Sequence, residues 1–299
     1  MSVIINILTW NISWGCMTAN QKSLQDHTAQ ALASHCYQLA RKYRQPICLQ
    51  NVCALLDQEK VKHDLIAFQE ASNWKQLIQN SQRLSKMKSV HSQSSQSEIV
   101  SFFNPRKFEL VCVSYGEIES GRPCHLLLLL VLKTQHQLIF INIHNSKGYS
   151  ESDLETGLSK LMTPQIQSQL QSLKKPIPII VGGDFNDHGH SNYWKKIYPF
   201  RHSQTLLKRK VVSSKGKKPP LSCCIGRKSL KPCSLANYSL YGDYILVSSD
   251  LKVTRGNHIH PDFNFDCQKY PTSDHLPVSQ TVVVNFNNYK KSQKKIKKK

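Results

Sequence analysis

Six short polar fragments of the chain could together form a site for metal or phosphate chemistry. Each contributes a carboxylate, a carboxamide or an imidazole, and every fragment except SDH borders an apolar run of strand length. Carboxylates that gather at one place repel one another and cost stability unless a cation or a substrate neutralises them. We therefore expect one catalytic mouth at the ends of several strands. The fragments are TWN (9–11), FQE (68–70), INIHN (141–145), GGDFND (182–187), GDYIL (242–246) and SDH (273–275).

The strongest candidates are side chains that directly follow a strand. Glu70 ends the apolar run 65–69 and could hold a hard cation at the rim of a sheet. Its structural alternative is a solvated strand end or a helix N-cap. Asp184 and Asn186 follow two glycines and, being two positions apart, would point to the same side. One could bind a metal or take a proton from water, and the other could hydrogen-bond a phosphate oxygen; an Asx turn is the structural alternative.

The remaining candidates are weaker individually, and their occurrence together strengthens the prediction of a functional site. Asp243 begins a strand, where an aspartate is commonly a turn residue. Asp274 and His275 adjoin in a loop before a strand, which could orient the histidine and keep it protonated. His144 ends the strand 138–143, and Asn11 ends the first strand, where it could orient a carboxylate or donate to phosphate. A structural role is the alternative for each of these side chains.

Hydrophobic periodicity indicates the elements that would position these residues. Because one site draws on both halves of the chain, residues 1–287 are predicted to form one domain. Residues 288–299 are predicted to be a disordered lysine-rich tail, and 92–97 a polar loop. The predicted helices are 21–44, 47–56, 73–82 and 152–173, and the predicted strands are 3–10, 64–69, 99–104, 109–117, 125–133, 137–144, 176–181, 243–248, 251–255 and 277–286.

In this order, the fragments resemble the endonuclease/exonuclease/phosphatase superfamily, which has the DNase I-like fold. The resemblance covers roughly 3–284, and GDFN and SDH are its most specific parts. The fragment GRP at 121–123, followed by an apolar strand, also looks like the family. The resemblance implies an α/β (α+β) fold, a four-layer α/β/β/α sandwich with two packed sheets and helices outside. It also implies cleavage of a phosphate ester that depends on Mg²⁺ or Mn²⁺.

The resemblance also implies a role for each candidate. Glu70 would be the main metal ligand, with Asn11 beside it and Asp274 as a metal-side or orienting carboxylate. Asp184 would orient or deprotonate the attacking water, and Asn186 would bind the scissile phosphate.

Three further roles follow from the resemblance. Asp243 would lie near the phosphate or a second metal position, and His275 would pair with an acid. His144 would stabilise developing charge or assist the leaving group. A histidine at the position of His144 resembles the DNase I, sphingomyelinase and deadenylase members of the superfamily, because the abasic-site endonucleases usually have a tyrosine there. The PAW-x-DR stretch of inositol polyphosphate 5-phosphatases is absent before Asp243.

The charge of the chain indicates a polyanionic partner. Forty Lys and Arg against 19 Asp and Glu give a formal charge of +21, and seven lysines lie in 290–299, so that 14 of the 21 charges remain without them. Such an excess favours nucleic acid, DNA or RNA, and secondly an anionic membrane surface. The alternative is a generally basic, soluble surface. The predicted substrate-binding cations lie in the basic loop 201–220 and are Lys208, Arg209, Lys210, Lys217 and Lys218.

Three functions are compatible with these features. The first is a nuclease that hydrolyses DNA or RNA. The second is a phosphatase or phosphodiesterase that acts on a phosphoinositide, sphingomyelin or another small phosphate ester, with the lysines facing an anionic membrane. The third is a degenerate member that only binds nucleic acid; the complete set of polar fragments disfavours it. The oligomeric state is not predicted.

The cysteines and apolar runs bear on the cellular compartment. Residues 1–9 lack the pattern of a secretory signal, and the ten cysteines contain no C-x-x-C pair. We therefore predict reduced thiols and an intracellular protein of the cytoplasm or nucleus. The longest apolar run, 126–132, predicts a buried strand, and no transmembrane segment is predicted.

Overall fold

The computed structural model of the chain describes most of the sequence. The described residues are 2–18, 30–95, 97–119, 121–146, 148–171, 177–187, 192–200, 210–213, 217–225, 238–259 and 272–285. The predicted tail 288–299 lies outside them, as do Lys208 and Arg209 of the basic loop.

Six α-helices and thirteen strands are present in the described part of the chain. The helices are α1 (Trp14–Thr18), α2 (Gln30–Tyr43), α3 (Ile47–Gln58), α4 (Trp74–Asn80), α5 (Glu151–Ser159) and α6 (Pro164–Gln171). The strands are β1 (Ser2–Asn11), β2 (Leu65–Gln69), β3 (Lys88–Gln93), β4 (Glu98–Phe103), β5 (Phe108–Glu119), β6 (Arg122–Val131), β7 (His136–His144), β8 (Ile179–Asp187), β9 (Val211–Val212), β10 (Cys223–Ile225), β11 (Tyr238–Ser248), β12 (Leu251–Ile259) and β13 (Val278–Asn285).

The strands form two mixed sheets. The first sheet has the order β12-β13-β1-β2-β4-β3, and the second has the order β10-β11-β8-β7-β6-β5, with β9 paired to β11. Two pairs are parallel, β1 with β2 and β7 with β8. Parallel neighbours end at the same edge of a sheet, so each sheet has one edge at which two adjacent strands deliver polar residues.

The central strands of both sheets are buried on both faces, which produces four layers. In β1, Ile5 and Ile7 pack between the sheets, whereas Leu8 and Trp10 pack against the helices outside the first sheet. Because successive strand side chains point to opposite faces, one apolar strand can serve two cores. Helices α2, α3 and α4 cover the first sheet, and α5 and α6 cover the second. The predicted four-layer sandwich is confirmed.

Two local predictions were wrong, and one element was missed. The predicted helix 152–173 is two helices, because Pro164 cannot donate the backbone bond that would continue α5 and instead begins α6. The segment 92–97 is not wholly a loop, since β3 extends through Gln93. The polar sequence of β3 hid its alternation, in which Val90 and Ser92 face inward. The short helix α1 was not predicted.

The prediction that the cysteines are reduced was also wrong for one pair. Helices α2 and α3 bring the Cα atoms of Cys36 and Cys48 to 5.9 Å, and a disulfide joins them. Periodicity showed two helices here but not that they pack side by side. The bond removes one support for the predicted reducing compartment. None of the described helices combines the length and hydrophobicity needed to cross a lipid bilayer.

Candidate active site

Asn11 joins the two sheets at the edge where their parallel strands end. Its amide Nδ2 donates to Glu70 Oε1 and to Asp184 Oδ2, both at 3.0 Å. Its Oδ1 accepts from the Ser13 backbone N at 2.9 Å, which fixes the orientation of the amide. The Asn11 amide nitrogen therefore binds both carboxylates and fixes their relative positions. Its oxygen is bound by the Ser13 backbone, whereas a metal ligand would present that oxygen to a cation.

Glu70 is one of the catalytic candidates that solvent can reach. It follows β2 with a φ of 54°, so the chain turns sharply and the side chain leaves the plane of the sheet. The side chain is 32% exposed, and its Oε2 accepts from the Trp14 backbone N at 2.9 Å. A carboxylate that is both oriented and accessible is suited to hold a cation.

Of the two glycines before Asp184, only Gly183 is required by the packing. A Cβ on Gly183 would lie 2.2 Å from the Ile143 carbonyl oxygen, whereas a Cβ on Gly182 would meet nothing closer than 3.7 Å. The bare backbone lets β8 approach β7 closely, and His144 and Asp184 become direct neighbours in the parallel register. Asp184 is itself only 1% exposed.

Asn186 is brought back to Asp184 by an irregularity in β8. Tyr241 and Asp243 of β11 are two residues apart but pair with Asp187 and Asp184, so one extra residue is accommodated in β8. Asn186 has a φ of 47° at this bulge, and its backbone N donates to Asp184 Oδ1 at 2.9 Å. Its Nδ2 lies 3.2 Å from Asp184 Oδ2. The two residues predicted to face the same side are in contact.

The carboxylate that pairs with His275 is Asp243, not the adjacent Asp274. His275 Nδ1 donates to Asp243 Oδ2 at 2.7 Å. Burial alone would lower the pKa of His275, but the carboxylates of Asp243 and Asp184 raise that pKa well above its usual value. His275 is therefore held as an imidazolium. The buried Asp274 carboxyl is hydrogen-bonded to the Ser13 side chain, and burial together with Glu70 raises its pKa.

His144 occupies the opposite side of Asp184 in a different charge state. Its Nε2 lies 3.6 Å from Asp184 Oδ2, and its Nδ1 is 2.7 Å from Ser97 Oγ. Arg122 Nη1 lies 3.1 Å from the same Nε2, and a guanidinium can only donate. Nε2 must then accept, and Nδ1–H donates to Ser97. Burial lowers the pKa of His144, in agreement with a neutral ring.

The Asp184 carboxylate lies between these two imidazoles. Burial alone would raise its pKa, but the charge of His275, with the amide of Asn11 and the backbone N of Asn186, lowers it. Asp184 is thus ionised at neutral pH. Ligand atoms of Asp184, Asp243 and His275 all lie within 4.8 Å of one another.

Solved structures share this arrangement of layers. An endonuclease/exonuclease/phosphatase from Bacteroides vulgatus matches with a TM-score of 0.61 and 12% identity, covering 95% of this chain and 100% of that chain. ANGEL2, a 2′,3′-cyclic phosphatase, matches with a TM-score of 0.60 and 14% identity over 95% and 96%. This chain has the fold of the endonuclease/exonuclease/phosphatase superfamily. A mannosyl-6-phosphatase from Bacteroides thetaiotaomicron also shares that superfamily fold, with a TM-score of 0.52 and 14% identity over 93% and 99%.

Sequence comparisons say less about this chain than the structural comparisons do. No family model matches the chain. An uncharacterized protein, L684, of Acanthamoeba polyphaga mimivirus is 32% identical over 148 residues, which are 47% of this chain. The match spans only 28% of the length of that relative.

Two residues that contact the site were missed by the sequence reasoning. Arg122 reaches His144 Nε2, and its Nε donates to Ser146 Oγ at 3.0 Å. The fragment GRP, which resembles the superfamily, is the sequence feature from which Arg122 could have been predicted. Ser97 supplies the partner of His144 Nδ1, and no sequence pattern pointed to it.

The donor set suits a divalent cation. Glu70 and Asp274 offer carboxylate oxygens, the donors that Mg²⁺ and Mn²⁺ prefer. Their negative charges act on each other, since Glu70 contributes to the raised pKa of Asp274. A cation between them would relieve that repulsion.

The described lysines of the predicted basic loop are solvent-exposed. Lys210, Lys217 and Lys218 are exposed, and the Lys218 ammonium lies 4.6 Å from the ring centroid of Tyr241. Tyr241 is half-buried on β11, beside Asp243 in sequence. One lysine of the loop is thereby placed next to the strand that carries a candidate catalytic carboxylate.

Proposed function

We propose that this protein is a divalent-metal-dependent phosphoric ester hydrolase and that its substrate is a nucleic acid phosphodiester. The observation that carries the proposal is the buried, ionised Asp184 between an imidazolium, His275, and a neutral imidazole, His144, beside the accessible Glu70. Attack on phosphorus needs a base for the nucleophile and positive charge for the phosphate oxygens. Both are supplied within one cluster.

Glu70 and Asp274 would hold Mg²⁺ or Mn²⁺. When bound, such a cation neutralises charge on the phosphate oxygens and orients the ester. Asp184 accepts the proton of the attacking water, since Asn186 N and Asn11 Nδ2 hold its two oxygens in fixed directions.

His275 supplies positive charge to a phosphate oxygen, because Asp243 fixes the orientation of its ring and keeps it protonated. Arg122 keeps the His144 ring neutral and adds a second fixed cation beside the cluster. A fixed charge that needs no reorganisation stabilises the transition state more than a mobile one.

The charge of the chain favours nucleic acid among possible phosphate esters. A formal charge of +21 and the exposed lysines 210, 217 and 218 suit a long polyanion. The similarity to a 2′,3′-cyclic phosphatase is compatible with this choice. The second candidate is a phosphatase for a small or lipid phosphate ester, which the similarity to a mannosyl-6-phosphatase favours.

A panel of substrates separates these proposals. Purified protein is incubated in EDTA and then with Mg²⁺ or Mn²⁺, with labelled single-stranded DNA, duplex DNA, RNA, a phosphoinositide and mannose 6-phosphate. We expect metal-dependent cleavage of a nucleic acid, and its loss in Asp184→Asn. The exposed Glu109 on β5 gives a matched control, Glu109→Gln, which should retain activity. Turnover of only the small esters would select the second candidate, and no turnover of any ester would refute hydrolysis.

A further inference from the structure

Trp14 is an exposed aromatic residue fixed at the edge of the active site. It is 37% exposed, and it is the most exposed of the four tryptophans in the chain. Its backbone N donates to Glu70 Oε2 at 2.9 Å, which ties its main chain to the proposed metal ligand. The main chain of Trp14 therefore contacts the proposed metal ligand, while its side chain is partly open to solvent.

The local structure fixes the backbone that carries Trp14. Ser13 has a φ of 58° and is 2% exposed, so the chain makes a left-handed turn directly before the tryptophan. Cys16 and Met17, later in α1, are buried in the core outside the first sheet. The helix is thus anchored through its other side chains, and the Trp14 ring is not needed to hold it.

Trp10 provides the contrast four residues earlier. It is fully buried, and its Nε1 donates to the His275 carbonyl oxygen at 2.9 Å. A tryptophan that serves packing thus has both its ring and its polar atom satisfied inside the protein. An aromatic face that is open to solvent, by contrast, is available to stack on a base.

A second aromatic group lies on the other sheet. Tyr241 of β11 pairs with Asp187, directly beyond the bulge that positions Asn186. The Lys218 ammonium is held over its ring at 4.6 Å. Trp14 follows the end of β1 in the first sheet, whereas Tyr241 belongs to the second. The candidate catalytic groups therefore have an aromatic residue on each of the two sheets that contribute them.

We propose that Trp14 is a base-stacking platform at the active site, with Tyr241 and Lys218 as a second contact for the same strand. The inference rests on the proposed function and narrows it to single-stranded nucleic acid. Bases stack on exposed aromatic faces in single strands, whereas the bases of a duplex are already stacked on each other. Lys218 would pair with a neighbouring phosphate while Tyr241 offers its ring.

The test compares a strand with bases and a strand without them. Steady-state kinetics are measured on a single-stranded oligonucleotide and on an oligomer of equal length built from abasic tetrahydrofuran units. We expect Trp14→Ala to raise KM for the normal strand about tenfold, with kcat little changed and the abasic oligomer unaffected. The backbone N–H that binds Glu70 remains in this variant, and Trp14→Phe should recover part of the affinity.

The matched control is Tyr43, a 52% exposed tyrosine on α2 with the Lys42 ammonium 5.1 Å from its ring centroid. Tyr43→Ala should leave both substrates unaffected. Equal losses of Trp14→Ala on the normal and abasic strands, or no loss, would refute base stacking while hydrolysis itself stands. Loss of binding to vesicles of phosphatidylserine in Trp14→Ala, with oligonucleotide kinetics unchanged, would assign the ring to a membrane and refute the inference. Absence of hydrolysis in the wild type would instead refute the proposed function.

Discussion

Adding one methyl group at Gly183 should displace the catalytic carboxylate. The Cβ of Gly183→Ala would lie 2.2 Å from the Ile143 carbonyl oxygen and 2.6 Å from Ile143 Cγ1. Ordinary contacts begin near 3.4 Å, so β8 must move away from β7 by about 1 Å. Because Asp184 follows directly and pairs with His144, this movement separates the two groups.

The size of the effect follows from the overpacking and from the misplacement. Overpacking of a dense core costs about 1–3 kcal/mol, which for a chain of this size lowers Tm by roughly 2–12 °C. A displacement of about 1 Å at reacting groups can reduce the rate about 100-fold. Below its Tm the variant stays folded, so kcat/KM should still fall about 100-fold in protein that has its native secondary structure.

Gly182 provides a matched control one residue earlier. A Cβ at Gly182 meets its nearest atoms, Thr9 Cβ and Ala67 Cβ, at 3.7 and 3.8 Å, which is ordinary contact. The assay is thermal unfolding followed by circular dichroism, with kcat/KM on the best substrate of the panel. We expect Gly182→Ala to resemble the wild type in both. Equal behaviour of the two variants would refute the claim that close approach of β7 and β8 positions Asp184.

Three further predictions concern single contacts. Asp243→Asn removes the charge that keeps His275 protonated, and kcat/KM should fall at least about 100-fold; activity within tenfold of the wild type would contradict this role. Burial lowers the pKa of His125 to about 3, so its contribution to stability is complete above about pH 6.5 and is lost as the pH falls toward 3. In urea unfolding, His125→Gln should lessen the loss of stability between pH 6 and 4 by about 1.4 kcal/mol per pH unit; equal pH slopes would refute it. The Cys36–Cys48 bond joins residues 12 apart, and its reduction should lower the free energy of unfolding by about 2–3 kcal/mol. A Cys36→Ser/Cys48→Ser protein should match the reduced wild type, and sensitivity of that variant to dithiothreitol would contradict this.

The sequence predicted where strands end better than it predicted which strands and which side chains become neighbours. The apolar runs before Glu70, His144 and Asp184 showed where strands end, because burial on both faces demands apolar residues. Which strands become neighbours depends on pairing between distant segments. For that reason the acid that orients His275 was expected to be the adjacent Asp274, whereas Asp243, 32 residues earlier, makes the contact.

Features that depend on packing were the least visible. The polar alternation of β3 resembled a loop because its partner, β4, supplies most of the apolar contacts of that hairpin. Ser97 carries no motif, yet β4 and β7 together bring the residue before β4 to His144. Gly183 and Gly182 look equivalent in the sequence, and only the position of Ile143 distinguishes them.

The central claim is that carboxylates from both sheets act in one active site, and a double-mutant cycle tests it most directly. The kcat/KM of Glu70→Gln, Asp184→Asn and the double variant would be measured with saturating Mg²⁺. Residues that act as one unit are strongly non-additive. We expect each single change to cost about 1,000-fold or more and the double variant to be no worse than the poorer single one. A double variant whose loss equals the product of the two single losses, or single variants with full activity, would contradict the account.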